Sequence, residues 1–216
     1  MLLIFVDLLM VVLHLLFGDK TIFNLDMESN LPTIYQGSKS IFTANVIFLI
    51  LALIFLKKGN LKREWIWIFL GVGMFFLGVD EIGQVHENIS KYAKEIFGGG
   101  ATEYEATVAD LGYTSTNWLP YYILLFVPAT VFIVMSLKKF YKENRRSVWF
   151  LIFGWLFFIG VLIVEFINTM SNIMFQDGYW TLMIFEESFE MIGASLLLTF
   201  ALVSLQEKVS FLNIRE

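Results

Sequence analysis

Six apolar runs dominate this sequence and decide most of what it can fold into. They cover about Leu2–Phe17, Ile41–Leu56, Trp65–Ile82, Trp118–Leu137, Val148–Met170 and Tyr179–Leu205. Runs of roughly 17–25 apolar residues suit helices that cross a bilayer, where a helix satisfies its own backbone without water. The pattern predicts an all-α, polytopic membrane bundle of about six transmembrane helices in a single domain. Composition agrees. The 216 residues are 57% hydrophobic and 16% charged, with mean hydropathy +0.70, whereas a soluble domain carries about 25% charged residues. A net charge of −5 with few bases argues against a nucleic-acid partner and leaves membrane lipids as the expected surroundings. The chain has no Cys, hence no thiolate ligand and no Cys nucleophile.

Loop charge gives the orientation. Lys57, Lys58, Lys62 and Arg63 follow the second run, and Lys138, Lys139, Lys142, Arg145 and Arg146 follow the fourth. Lys208 and Arg215 lie in the tail, while the remaining loops hold only Lys20, Lys39, Lys91 and Lys94. Basic loops stay in the cytoplasm, so both termini are expected there, in a cell membrane, with the bacterial cytoplasmic membrane the expected one. The first run lacks a basic flank and carries Asp7 and His14, which suits a span better than a cleaved signal. Trp65, Trp67 and Trp149 are expected at one membrane edge, and Trp118, Tyr121, Tyr122, Tyr179 and Trp180 at the other.

Several local features carry expectations of their own. The third helix should continue outward through about residue 97 and end at Gly98-Gly99-Gly100. Gly71, Gly73, Gly78 and Gly83 should let it approach its neighbours closely. Pro128 predicts a kink in the fourth span. The stretch Asn24–Thr33 reads as a solvated turn stopped by Pro32, or alternatively as a re-entrant or capping segment that brings Asp26 or Glu28 to the same outer site.

Acids placed inside the apolar runs are the chemical signal. Eight of the 20 Asp and Glu lie within or at the edge of these runs, and no Lys or Arg lies within them. A charge at mid-membrane costs about 2.5–3.5 kcal/mol on insertion scales. Without bases beside them, such carboxylates must be protonated, hydrated or bound to a cation. Asp80, Gln84 and Glu87 fall on one helical face with Glu81 and His86 flanking it. Glu186, Glu187 and Glu190 share a face of the sixth span, and Glu165 with Asn168 and Asn172 a face of the fifth. Asp7 and His14 share a face of the first, while spans two and four show no comparable polar stripe. With the expected orientation, Asp80, Glu165, Glu186 and His14 come to one depth in the outer third of the bilayer, and Asp7 lies deeper.

Each residue also has a bland reading. Glu87 suits the water interface, His14 an interior hydrogen bond, Asp7 a helix end, and Glu165 with Asn168 interhelical glue. Five acids on the third and sixth spans are too costly for glue alone.

The segments Asn24–Thr33, Val79–Glu87 and Phe185–Met191 resemble a widespread family of uncharacterised bacterial multi-pass membrane proteins. The likeness lies in an LDxExNxPT-like loop, an LDExxxxHE-like segment in which Val79 replaces Leu, and an EExxEM-like segment. It adds weight to Asp26, Glu28, Asp80, Glu81, His86, Glu87, Glu186, Glu187 and Glu190 without implying an activity.

Carboxylates with imidazole commonly bind Zn²⁺, Mn²⁺ or Fe. The inventory predicts one or two divalent ions held by Asp80, Glu81, His86, Glu186, Glu190, Glu165 and His14. Asp7, Gln84, Asn168, Asp26 and Glu28 would support the site or extend a path from it. Glu187 or Glu87 would act as general base in a metal-dependent enzyme acting on a lipid or lipid-linked substrate. The di-iron Glu-x-x-His signature is missing. The competing readings are a cation or proton transporter and an ion-stabilised sensor or assembly partner.

Overall fold

The computed structural model describes residues 2–18, 20–25, 30–56, 64–85, 119–171 and 178–213. Among these residues the chain forms six α-helices, a short 3₁₀ turn at Thr21–Phe23 and no strand. The helices are α1 (Leu2–Phe17), α2 (Leu31–Leu56), α3 (Trp65–Gly83), α4 (Leu119–Glu143), α5 (Arg145–Ser171) and α6 (Gly178–Asn213). Five are long and apolar enough to cross a membrane, while α1, at 16 residues, is shorter. The expected all-α membrane bundle is therefore the architecture found.

Helices α3, α2, α6, α5 and α4 follow one another as a ring, and α1 packs on α6. The seam between α3 and α4 has little close backbone packing. Aromatic rings bridge it instead: Trp65 and Phe69 against Phe132, Trp67 against Phe140, and Phe76 against Tyr122. Ion pairs from Lys139 to Glu64 (2.7 Å) and Lys208 to Glu143 (2.9 Å) gather the ends of α3, α4 and α6 at what we call the lower end. The upper end holds the start of α2 and the finish of α3.

Three boundaries differ from the sequence expectation, each for a local reason. Helix α2 starts ten residues before Ile41. Asn30 caps it, its Oδ1 accepting from the Thr33 N–H (3.2 Å) and hydroxyl (3.1 Å) while its carbonyl accepts from the Ile34 N–H. An Asn cap satisfies a backbone donor that the first turn otherwise leaves bare. Pro32 therefore opens a helix, where a missing N–H costs nothing, and does not stop a loop. Helix α3 is interrupted short of its expected end. It stops at Gly83, and Gln84 turns left-handed (φ 53, ψ 39) with its N–H on the Asp80 carbonyl. Val85 is helical again, and the rest of the expected continuation, including Gly98-Gly99-Gly100, lies outside the described residues. Helices α4 and α5 meet at Asn144, whose Oδ1 accepts from the N–H groups of Arg146 (2.8 Å) and Ser147 (3.0 Å).

Close approach occurs at particular glycines. A Cβ on Gly78 would stand 2.8 Å from the Gly37 carbonyl oxygen and 2.9 Å from the Ile41 nitrogen, so α2 and α3 touch backbone to backbone. Gly71 also meets α2, through Phe48, whereas Gly73 faces open space and Gly83 meets only its neighbour Val85. The lower half of the ring is filled. Trp67, expected at a membrane edge, is buried at 1% exposure. It stacks on Phe200 (5.5 Å between centroids) and meets the Phe140 ring edge-on (5.0 Å). Ile50, Leu151 and Ala201 pack into the same core. Trp65 and Trp149 remain exposed, as an interfacial belt requires.

Candidate functional site

The early start of α2 changes the charge inventory of the bundle. It draws Lys39, counted as a loop base, into the interior at 5% exposure. Its ammonium lies 2.6 Å from Asp7 Oδ1 and also donates to the Met191 carbonyl (2.8 Å) and Ser195 Oγ (3.0 Å). Three donors meet three acceptors, and the Tyr35 ring lies 4.4 Å away. Asp7, 1% exposed, further accepts from Tyr35 OH (2.9 Å) and Ser195 Oγ (2.6 Å). The expectation that no base sits among the buried acids is thus wrong for Asp7. Helix α2 also carries a polar face, Thr33, Gln36, Lys39, Ser40 and Thr43, all buried. Four of the five recur at helical spacing, a signal the apolar-run reading passed over.

Beside the Asp7–Lys39 pair, at nearly the same level, the ring encloses a cavity of about 50 Å³. Every helix of the ring contributes to its wall. Gln36 and Ser40 come from α2, Asp80 and Glu81 from α3, Tyr122 from α4 and Glu190 from α6. Leu77, Phe126, Phe158, Val161, Leu162 and Ala194 form the apolar remainder, part of it from α5. Tyr122 OH donates to Asp80 Oδ2, and Gln36 Nε2 donates to Glu190 Oε2. Asp80 is 6% exposed and Gln36 5%. The Gln36 carbonyl oxygen is buried and has no hydrogen-bond partner among the described residues. A buried acceptor left bare is costly and points to something that donates to it or binds it. The volume is room for a few waters, at about 10–15 Å³ each on this measure.

Of the sequence-selected residues, the structure thus brings Asp80, Glu81 and Glu190 to one cavity. Glu165, Glu186 and Glu187 are half-buried, one turn further towards the upper end. Gln84, also half-buried, sits at the α3 terminus, and Glu165 is not part of the cavity wall. His14 stands apart on α1, where its Nδ1 accepts from the Leu25 N–H (3.1 Å). This is the interior hydrogen bond of the bland reading, and it occupies one of the two ring nitrogens. His86, Glu87, Asp26 and Glu28 lie outside the described residues, as does the Asn168 side chain. Among the described residues no three His, Asp or Glu side chains converge closely enough to hold a metal ion between them. The sequence reading missed Gln36, Lys39, Ser195 and the inward role of Tyr122. Tyr122, expected at the membrane edge, is buried against Asp80.

These features define a multi-pass helical membrane protein with a polar cavity enclosed by its ring of helices. The chain belongs to the family described as a domain of unknown function, DUF8692, which matches residues 2–205 and so takes in every cavity residue. No curated protein and no solved structure matches it.

Proposed function

We propose that this protein binds a divalent cation in the cavity lined by Asp80, Glu81, Glu190 and Gln36, and that this centre acts on a lipid or lipid-linked substrate. The observation that carries the reading is Gln36, which lines the cavity beside three carboxylates and has a buried carbonyl oxygen without a hydrogen-bond partner among the described residues. Acidic side chains at membrane depth persist where they serve an ion or a proton. A cation there would polarise a carbonyl or phosphoryl oxygen. Glu81, which lines the cavity, is better placed than Glu187 to accept a proton from a bound water.

Two features favour a blind site over a through-path. The ring below the cavity is packed with Trp67, Phe140, Phe200 and Leu151. The Lys39 ammonium is fully engaged, which suits a fixed pair and not a moving charge. The reading places both termini in the cytoplasm of a bacterial cell, with the cavity in the outer half of the membrane.

Metal analysis of the full-length protein, purified without chelator, tests the proposal. We expect one or more divalent ions per chain, lost in Asp80→Asn and Glu190→Gln. Protein that retains no divalent ion under these conditions removes the metal centre. Acid-dependent cation or proton flux in proteoliposomes would replace it with a transporter. Reporter fusions at residues 60, 105 and 142 test orientation, with an outside signal expected at 105 alone.

A further inference from the structure

Resting on that reading, we infer that the cavity takes a hard, partly hydrated divalent cation of the Mg²⁺, Ca²⁺ or Mn²⁺ class, with the Gln36 carbonyl as a neutral ligand. The first ground is the donor set. Every polar group that the described residues give the wall offers oxygen: three carboxylates, the Gln36 amide, and the Ser40 and Tyr122 hydroxyls. Oxygen-only sites suit Mg²⁺, Ca²⁺ and Mn²⁺, whereas imidazole and thiolate select Zn²⁺, Cu or Fe. Cys is missing from the chain, and His14 spends its Nδ1 on the Leu25 N–H.

The second ground is the orientation of Gln36. Its amide nitrogen donates to Glu190 Oε2, and reversing the amide would set oxygen against oxygen. Its carbonyl must therefore face away from Glu190, and it is a buried atom of a wall residue without a partner among the described residues. A carbonyl oxygen in that position can accept a hydrogen bond or ligate a cation, and it can do nothing else.

Spacing is the third ground. A dry tetrahedral Zn²⁺ centre needs its ligands gathered within about 2.0–2.3 Å of one point. Here the wall acids border a cavity of about 50 Å³ without three of them converging. Ions of the Mg²⁺ class bridge such gaps because they keep several waters and take only one or two carboxylates directly. Water between ion and wall reconciles the acidic lining with the lack of a tight three-ligand group.

Titration of the chelator-treated, full-length protein with Mn²⁺, followed by loss of the free-ion electron paramagnetic resonance signal, tests this. We expect saturable binding that millimolar Mg²⁺ or Ca²⁺ displaces. Gln36→Leu should weaken Mn²⁺ by roughly tenfold or more, since even residues that only orient a ligand are worth that much. Gln36→Glu keeps an oxygen there and, sharing a proton with Glu190 where the amide donated, should bind Mn²⁺ within a few-fold of the parent, which separates a lost ligand from a misfolded chain. Binding abolished by Asp80→Asn yet unaffected by Gln36→Leu overturns this inference alone. So does Mn²⁺ that resists Mg²⁺ and Ca²⁺ and yields only to Zn²⁺. A parent protein that binds no divalent ion overturns the cation reading itself, and this inference with it.

Discussion

Asp7 and Asp80 are both aspartates buried in the helical bundle, and their surroundings differ in kind. Asp7 has a counter-charge in Lys39 and hydroxyl donors in Tyr35 and Ser195, so both of its oxygens are engaged within the protein. Asp80 has a neutral donor in Tyr122 and borders a cavity shared with Glu81 and Glu190. The first arrangement ties α1, α2 and α6 together with donors that the protein itself supplies. The second leaves space, together with an unmatched carbonyl on Gln36. A closed charge network fixes helices, while the open one is where we propose that an ion binds.

The largest effect should come from breaking the closed network. Lys39→Met leaves Asp7 buried without its counter-ion, and removing one partner of such a pair costs about 3–5 kcal/mol. Equilibrium unfolding in detergent measures it, and Asp7→Asn combined with Lys39→Met should recover most of the loss. Asp80→Asn, by contrast, deletes a charge from the cavity wall and should stay within about 1 kcal/mol of the parent in metal-free protein. If Asp80→Asn costs as much as Lys39→Met, the two networks are alike and the distinction fails.

Next in size is the backbone contact that sets the α2–α3 spacing. Gly37 and Gly78 flank Gln36 and Asp80 closely in sequence, and a Cβ at Gly78 would press on the Gly37 carbonyl. Overpacking of this kind costs about 1–3 kcal/mol, so Gly78→Ala should lower stability by about 2 kcal/mol. Because α1 is not part of that contact, Mn²⁺ affinity should fall alongside stability while the Asp7–Lys39 pair stays intact. A variant that loses stability but binds Mn²⁺ as before would detach the helix spacing from the cavity.

Tyr122→Phe sharpens the comparison further by removing one hydrogen bond across the sparse α3–α4 seam. Hydrogen bonds to charged groups contribute about 1.5–3 kcal/mol, and we expect about 1.5 kcal/mol here by the same unfolding measurement. A negligible change would show that the aromatic bridges alone close the seam.

How much of this was readable beforehand depended on whether a residue's identity implied its surroundings. Asp80, Glu81 and Glu190 were legible because an acid in an apolar run is costly wherever the helix points. Lys39 was not, because the second span was begun at its first purely apolar stretch, which left the polar turn from Leu31 to Ser40 outside. The signal existed: Asn30 ahead of Leu31-Pro32 is a helix start, and Thr33, Gln36, Ser40 and Thr43 follow at helical spacing. Tyr122 was illegible in principle, since a phenol near a helix end suits the lipid interface as well as a buried carboxylate. The end of α3 was hidden for a different reason. Apolar periodicity runs on through Ile96, and nothing in it marks a left-handed Gln84.

That residue provides the smallest expected effect and the one whose sign is most informative. Among the described residues Gln84 alone is a non-glycine with positive φ. A side chain in the left-handed region crowds its own carbonyl, which glycine avoids. If the conformation merely terminates α3, Gln84→Gly should stabilise the protein by about 0.5–1 kcal/mol. Gln84 is also the last described polar residue on the face that carries Asp80, one turn further towards the upper end. If its amide supports the mouth of the cavity, the substitution should weaken Mn²⁺ binding and give back the backbone gain. Stability and Mn²⁺ affinity measured on the same preparation therefore decide whether the open network ends at Asp80 or continues to the end of the helix.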